Sequence, residues 1–253
     1  MSETPAKGGH ITMIGAGPGD PDLLTIRAVK RIEAADVILF DDLGAGPLLK
    51  HARAQTELIA VGKRAGRVSP KQSQVSRLMV AHAKMGQRVV RLKSGDPTIF
   101  GRLDEEIVAA REAGIPFEIV PGVTAATAAA AELGFSLTRR GVARRLQFVT
   151  GHDVDGQLPQ DLDIAALADP GATTCVFMGK ATFALLVEAL IARGLSPDTP
   201  CIVATQASLP DAQARFGTLA EIAAYLKDRP QLGASVIFYG AAIPDGPVFD
   251  RGA

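Results

Sequence analysis

The residues best suited to chemistry lie between Arg91 and Glu106, in "RLKSGDPTIFGRLDEE". Lys93, Asp96, Arg102, Asp104, Glu105 and Glu106 crowd around a Gly-Asp-Pro turn that follows a strand-like run. Ser94 and Gly95 make a narrow turn at the end of that run, and open α/β sheets bind ligands at the carboxyl ends of strands. Asp96 can cap the next helical turn, with Pro97 suited to its first position. Arg102 and Glu105 stand three apart, so on a helix they share a face and can pair. As a surface ion pair they would add little stability. Beside a cleft, an arginine held by a glutamate can instead grip a carboxylate with its planar donors. Residue chemistry alone leaves a solvated helix start and a ligand site both open.

"IGAGPGD", Ile14 to Asp20, sits where a strand hands over to a helix. Glycines there let the backbone approach a ligand and leave helix N–H groups available to anions. A dinucleotide fingerprint would need a third glycine at Asp20, and Pro18 lies inside the turn. The acid pair Asp41–Asp42 follows at about the spacing of a ribose-binding acid. A nucleotide site and a tight structural turn are the two readings.

Arg139, Arg140, Arg144 and Arg145 cluster in "SLTRRGVARRLQ", a placement that suits a polyanionic small molecule as well as a solvated face. "VGKRAGRVSPKQ" adds Lys63, Arg64, Arg67 and Lys71 on a Gly-containing stretch too irregular for a helix. The four histidines, His10, His51, His82 and His152, show no metal-ligand spacing. Ser-His-Asp and Cys-His arrangements are absent from the sequence pattern, so hydrolysis through a covalent nucleophile has no support. Cys175 and Cys201 stand in apolar surroundings without CxxC spacing, which reads as buried thiols in a reducing compartment.

Strand-like and helix-like segments alternate to position these groups. "HITMIGAGPGD", "VILFDD", "RVVRLKSGDP" and "PFEIVPGV" read as strands, and "LLTIRAVKRIEAAD", "VSRLMVAHAKMG" and "LDEEIVAAREAG" as helices, the last closed by Gly114. Strands apolar throughout predict a mostly parallel sheet covered on both faces. Beyond Pro121–Gly122, "ARRLQFVTGH", "TTCVFMG", "PCIVATQAS", "DAQARFGTL" and "ASVIFYGAA" are more closely spaced, with "FALLVEALIARG" and "LAEIAAYLKDR" as helices between them. The expected organisation is a tail at 1–10, an α/β domain at 11–121 and a second α/β domain with a mixed sheet at 122–253. The chain has 253 residues, 47% hydrophobic and 21% charged, with 27 basic and 27 acidic side chains. Zero net charge gives no sign of a nucleic-acid partner. No run reaches the roughly 18 apolar residues of a membrane span. The opening lacks a signal-peptide pattern, so the expectation is a cytoplasmic protein.

"GAGPGDPDLLT", "VGKRAG" with "SPKQ", "RLKSGDPTIFGR" with "EE", "PGVTA", "LTRR", "FVTGH" and "FMG" follow one another in order. This set, spanning Ile11 to about Ile243, resembles the tetrapyrrole methylases that use S-adenosylmethionine, and among them those acting on uroporphyrinogen III. The resemblance implies a two-domain fold with a cofactor cleft between the domains, a homodimer, and transfer of two methyl groups to C2 and C7 to give precorrin-2, on the way to sirohaem or cobalamin. It implies S-adenosylmethionine contacts at Pro18, Ser94, Gly95, Asp96, Thr124, Ala125 and Met178, with Ala207 and Ser235 near later cofactor positions. It places Arg102, Arg140 and Arg64 on the substrate, Arg102 and Glu105 in catalysis, and Asp41 near the tetrapyrrole as a second candidate base. Such a substrate carries eight carboxylates, which a neutral protein must meet with local arginines.

Ser94, Leu103 with Asp104, and Arg139 depart from the family pattern, where glycine, two glycines and histidine are usual. The rival readings are a methylase of a later corrin intermediate, an NAD-linked oxidoreductase built on Gly15–Asp20, and a silent tetrapyrrole- or nucleotide-binding module.

Overall fold

The computed structural model describes residues 8–41, 45–62, 72–229, 232–244 and 246. The chain divides into two units that part between Thr124 and Ala125, each with its own sheet.

In the first unit, β1 (His10–Gly15), β2 (Val37–Phe40), β3 (Glu57–Ala60), β4 (Arg88–Lys93) and β5 (Phe117–Val120) pair in parallel in the order β3-β2-β4-β1-β5. Alternating side chains split the strands between two faces. Ile14, Ile38, Val90, Leu92 and Val120 form one core with α1 (Ile26–Ala34) and Leu48 of α2 (Ala45–Leu48). Ile11, Met13, Val37, Leu39 and Val89 form the other with α3 (Gln72–Lys84) and α4 (Leu103–Glu112). Each fully buried Ile, Leu or Met here contributes about 1.5–3 kcal/mol through the apolar surface it removes from water.

This arrangement creates the feature that matters for a ligand. The connection leaving β1 runs through α1 on one face, and that leaving β4 runs through α4 on the other. β1 and β4 are neighbours, so their carboxyl ends splay apart at a topological switch point.

Asp36 fastens the other end of the sheet. Its Oδ2 accepts from the Arg88 backbone N–H at 2.8 Å and Arg88 Nε at 3.0 Å, and its Oδ1 from Arg88 Nη2 at 2.6 Å and Arg53 Nη2 at 3.1 Å. Hydrogen bonding from Arg88 holds this carboxyl well below the usual carboxylate range, against the opposing effect of burial.

The second unit runs α5 (Ala125–Glu132), β6 (Arg145–Thr150), α6 (Ile164–Leu167), β7 (Ala172–Phe177), α7 (Phe183–Ala192), β8 (Pro200–Thr205), β9 (Gln213–Thr218), α8 (Leu219–Lys227) and β10 (Ser235–Gly240). Its sheet has the order β6-β7-β10-β8-β9, with β6–β7 parallel and the other pairs antiparallel. Phe183, Leu186, Leu190, Leu219 and Ile222 of α7 and α8 cover one face, on Val176, Val203 and Ile237. Ala126 and Ala129 of α5 lie on the other, against Cys175, Ile202 and Phe238. A reciprocal cap between Thr218 and Glu221 starts α8.

The parallel first sheet and mixed second sheet agree with the expectation. β3 and α5 are elements the sequence pattern did not mark. No helix among the described residues is long and apolar enough to cross a membrane.

Candidate active site

The switch point is floored by glycine backbone. Gly17 and Gly95 exchange two hydrogen bonds, Gly95 N–H to Gly17 O at 2.7 Å and Gly17 N–H to Gly95 O at 3.2 Å. This ties the turn after β1 to the turn after β4. The segment after β5 joins them, because a Cβ on Gly122 would overlap the Gly95 carbonyl oxygen and lie 2.8 Å from Gly15 Cα. Asp96, buried, locks the junction: Oδ2 accepts from the Gly122 N–H at 2.9 Å and Oδ1 from the Thr98 N–H at 2.8 Å. Asp96 thus caps a turn at 96–99 rather than a helix. Pro18, Ser94, Gly95, Asp96 and Thr124 all belong to these three turns. On its open side Gly95, at φ 66°, has nothing within 4 Å of where a Cβ would stand.

The glycine turn after β1 does not lead directly into α1. A short 3₁₀ turn, Pro21–Leu23, intervenes with Asp20 as its cap, and the Thr25 hydroxyl takes the Ala28 N–H of α1 at 3.1 Å. Side chains of the chain itself take two N–H groups here, that of Asp22 by Asp20 and that of Ala28 by Thr25.

Arg102 precedes α4 with left-handed backbone, φ 53°, and donates from Nε and Nη2 to the two carboxylate oxygens of Glu105 at 2.6 and 2.9 Å. Both side chains are substantially exposed, at 60% and 44%, so the fork is presented to solvent. The Glu105 hydrogen bond holds the Arg102 pKa above its ordinary value.

Asp41, at the carboxyl end of β2, joins a group of charges that sequence reasoning left unassembled. Its Oδ1 accepts from Arg91 Nη2 at 2.8 Å, and Arg91 Nε donates to Glu106 Oε1 at 3.0 Å. Lys93 Nζ reaches the same Glu106 oxygen at 2.9 Å. Burial works against the Arg91 charge, but Asp41 and Glu106 outweigh it and hold its pKa up. Burial and the Arg91 charge pull the Lys93 pKa down, with Glu106 opposing. The missed signal was "VVRLK": two cations two apart in an apolar strand must share one face.

In the second unit, Met178, Ala207 and Ser235 share one sheet edge. Met178 follows β7 and Ala207 follows β8, while Ser235 opens the antiparallel β10 between them, opposite Thr205. Met178, Gln206 and Ser208 have φ of 54°, 53° and 62°. Left-handed backbone costs a non-glycine residue roughly 1–2 kcal/mol, and such strain gathers at functional sites. Ala125 is the first residue of α5. Exposed Arg140 stands at the tip of a turn closed by paired backbone hydrogen bonds between Arg139 and Ala143, 2.8 and 2.9 Å. Arg145 pairs with Asp169, so the four-arginine cluster is not one unit. Arg64, with Lys63, Arg67 and Lys71, lies outside the described residues, as does Asp42.

Fold and site define a class: a two-unit α/β protein whose first sheet has a glycine-floored switch point, with one exposed arginine fork, Arg102 on Glu105, nearby in sequence. Residues 10–223 match the family of Tetrapyrrole (Corrin/Porphyrin) Methylases. The chain is 46% identical to the uroporphyrinogen-III C-methyltransferase of Paracoccus denitrificans, covering 91% of this chain and 79% of that one. It is 45% identical to siroheme synthase 1 of Klebsiella pneumoniae over 90% of its length, and spans 48% of that longer protein. The crystal structure of uroporphyrin-III C-methyltransferase from Thermus thermophilus, complexed with S-adenosylhomocysteine, aligns with a TM-score of 0.77 at 34% identity, covering 92% and 97% of the two chains. The chain belongs to the tetrapyrrole methylase family.

Proposed function

We propose that the chain is an S-adenosylmethionine-dependent C-methyltransferase that methylates uroporphyrinogen III at C2 and C7, giving precorrin-2. The observation that carries this reading is the 46% identity, over 91% of the chain, to an enzyme of that name. The likeness to a siroheme synthase supports a place in sirohaem formation. Cobalamin formation, a cytoplasmic location and a homodimer complete the reading as proposals.

The residues present fit the cofactor. The open side of Gly95 leaves room beside the SGD turn, and Met178, 42% exposed on left-handed backbone, offers a polarizable thioether. Pro18, Ser94, Gly95, Asp96, Thr124, Ala125, Met178, Ala207 and Ser235 are the residues proposed to hold it. S-adenosylmethionine, when bound, supplies a methyl group already activated as a sulfonium.

The chain's own residues then have three tasks. Arg102, fixed by Glu105, and Arg140 pair with tetrapyrrole carboxylates; Arg64 is proposed to join them. Fixing the ring this way can contribute roughly 7–11 kcal/mol of the barrier through orientation. Asp41 or Glu105 takes the proton released, a contribution of typically about 10²–10⁴-fold. The Thr25 cap and the intervening 3₁₀ turn argue against the oxidoreductase reading, which needs a helix N-terminus at the glycine turn. Calorimetry tests the choice: S-adenosylhomocysteine binds and NAD does not. Binding of NAD alone would overturn the reading.

A further inference from the structure

Glu106 is fully buried, at 0% exposure. A carboxylate there must be paired and hydrogen-bonded to stay charged. Its Oε1 accepts from three donors on two elements: Gln72 Nε2 of α3 at 2.8 Å, and Lys93 Nζ at 2.9 Å and Arg91 Nε at 3.0 Å, both of β4. Oε2 has no hydrogen-bond partner among the described residues. The Arg91 guanidinium is pinned at three points, by Glu106 through Nε, by the Leu92 carbonyl through Nη1 at 2.9 Å, and by Asp41 through Nη2 at 2.8 Å. Along this line exposure rises from 0% at Glu106 through 4% at Arg91 to 31% at Asp41. Only the last member is open to a ligand.

Such a network is poorly explained as a stabilising device. Buried ion pairs often stabilise no better than apolar residues of the same volume, and Val89, Val90 and Leu92 of the same strand show that apolar packing is available. The four charges, Asp41, Arg91, Lys93 and Glu106, sum to zero, so the arrangement holds one carboxylate at the sheet end in a fixed orientation without a net buried charge. We infer that Glu106 is a positioning residue: it fixes Arg91, which in turn fixes the Asp41 carboxylate for its work on the tetrapyrrole. Lys93 completes the balance: its charge and that of Arg91 repel each other, and the Glu106 oxygen they share offsets this. This inference rests on the proposed function and takes Asp41, of its two candidate bases, as the one that acts on the substrate.

The test is a double-mutant cycle of Glu106→Gln with Asp41→Asn, read as turnover of the full chain with uroporphyrinogen III at a temperature where all variants are folded. Alone, Glu106→Gln lowers kcat about tenfold or more, with KM for the tetrapyrrole changed less than about threefold and S-adenosylhomocysteine affinity intact. In the Asp41→Asn background the same change alters kcat less than about twofold. Equal losses in both backgrounds overturn the inference, as does full turnover of Asp41→Asn or Glu106→Gln. If Glu106→Gln does not fold, the charge-balanced pair Glu106→Gln with Lys93→Met carries the same cycle. With normal wild-type turnover, additivity sinks this inference alone. A wild-type chain that transfers no methyl sinks the functional reading and this inference with it.

Discussion

Arg102 meets Glu105 fork to fork, Nε to Oε1 at 2.6 Å and Nη2 to Oε2 at 2.9 Å, from a backbone held at φ 53°. The pair is exposed, so its value to stability is small. In the proposed function it aims a planar donor group. Arg102→Lys keeps the charge and loses the fork. Hydrogen bonds to charged groups are worth about 1.5–3 kcal/mol, so steady-state assays should show kcat/KM down roughly 10- to 100-fold. Unchanged kcat/KM would mean that the guanidinium does not touch the substrate.

Met178 separates function from stability. Its φ of 54° is strained for a side chain and free for glycine. Met178→Gly should leave the melting temperature unchanged or raise stability by up to about 1 kcal/mol. Affinity for S-adenosylhomocysteine, measured by calorimetry, should fall because the thioether is gone. A variant with undiminished affinity would remove Met178 from the cofactor set.

Gly122→Ala probes the glycine floor. The added methyl would collide with the Gly95 carbonyl and Gly15 backbone. Overpacking of this kind costs about 1–3 kcal/mol, and prising Gly95 from Gly17 should weaken S-adenosylhomocysteine binding. Gly114→Ala is the control. It has left-handed backbone at φ 67° but open space around it, so it should cost about 1–2 kcal/mol without affecting binding. Equal binding by both variants would show that the floor is only structural.

Asp36 supplies a pH test of stability. Its folded pKa lies below the unfolded value, so its contribution is complete above the ordinary carboxylate range and is lost as pH falls through that range toward the folded pKa. Discounted for an exposure of 32%, the stabilisation is about 1–2 kcal/mol. Melting curves of wild type should fall more steeply than those of Asp36→Asn between about pH 5 and pH 2. Parallel curves would contradict this.

The β/α alternation was legible because strands buried on both faces and amphipathic helices differ in period. β3 escaped because Glu57–Ala60 is a four-residue edge strand with Glu57 and Leu58 exposed. α5 escaped because six of its eight residues are alanines, with one threonine and one glutamate, leaving no apolar stripe to read. Glu105 and Glu106 show the limit at the site. Both read as acids at a helix start, yet Glu106 falls on the buried stripe with Leu103 and Ala110, at spacings of three and four. That stripe was readable in principle; its cations come from β4, whose pairing with α4 is a tertiary fact. The left-handed backbones of Arg102 and Met178 are likewise set by packing rather than by residue type.

The most direct test is to incubate the purified chain anaerobically with uroporphyrinogen III and methyl-labelled S-adenosylmethionine, then weigh the tetrapyrrole. The account predicts a gain of two labelled methyl groups and an equal yield of S-adenosylhomocysteine. Recovery of unmodified tetrapyrrole, with the cofactor bound but intact, would contradict it.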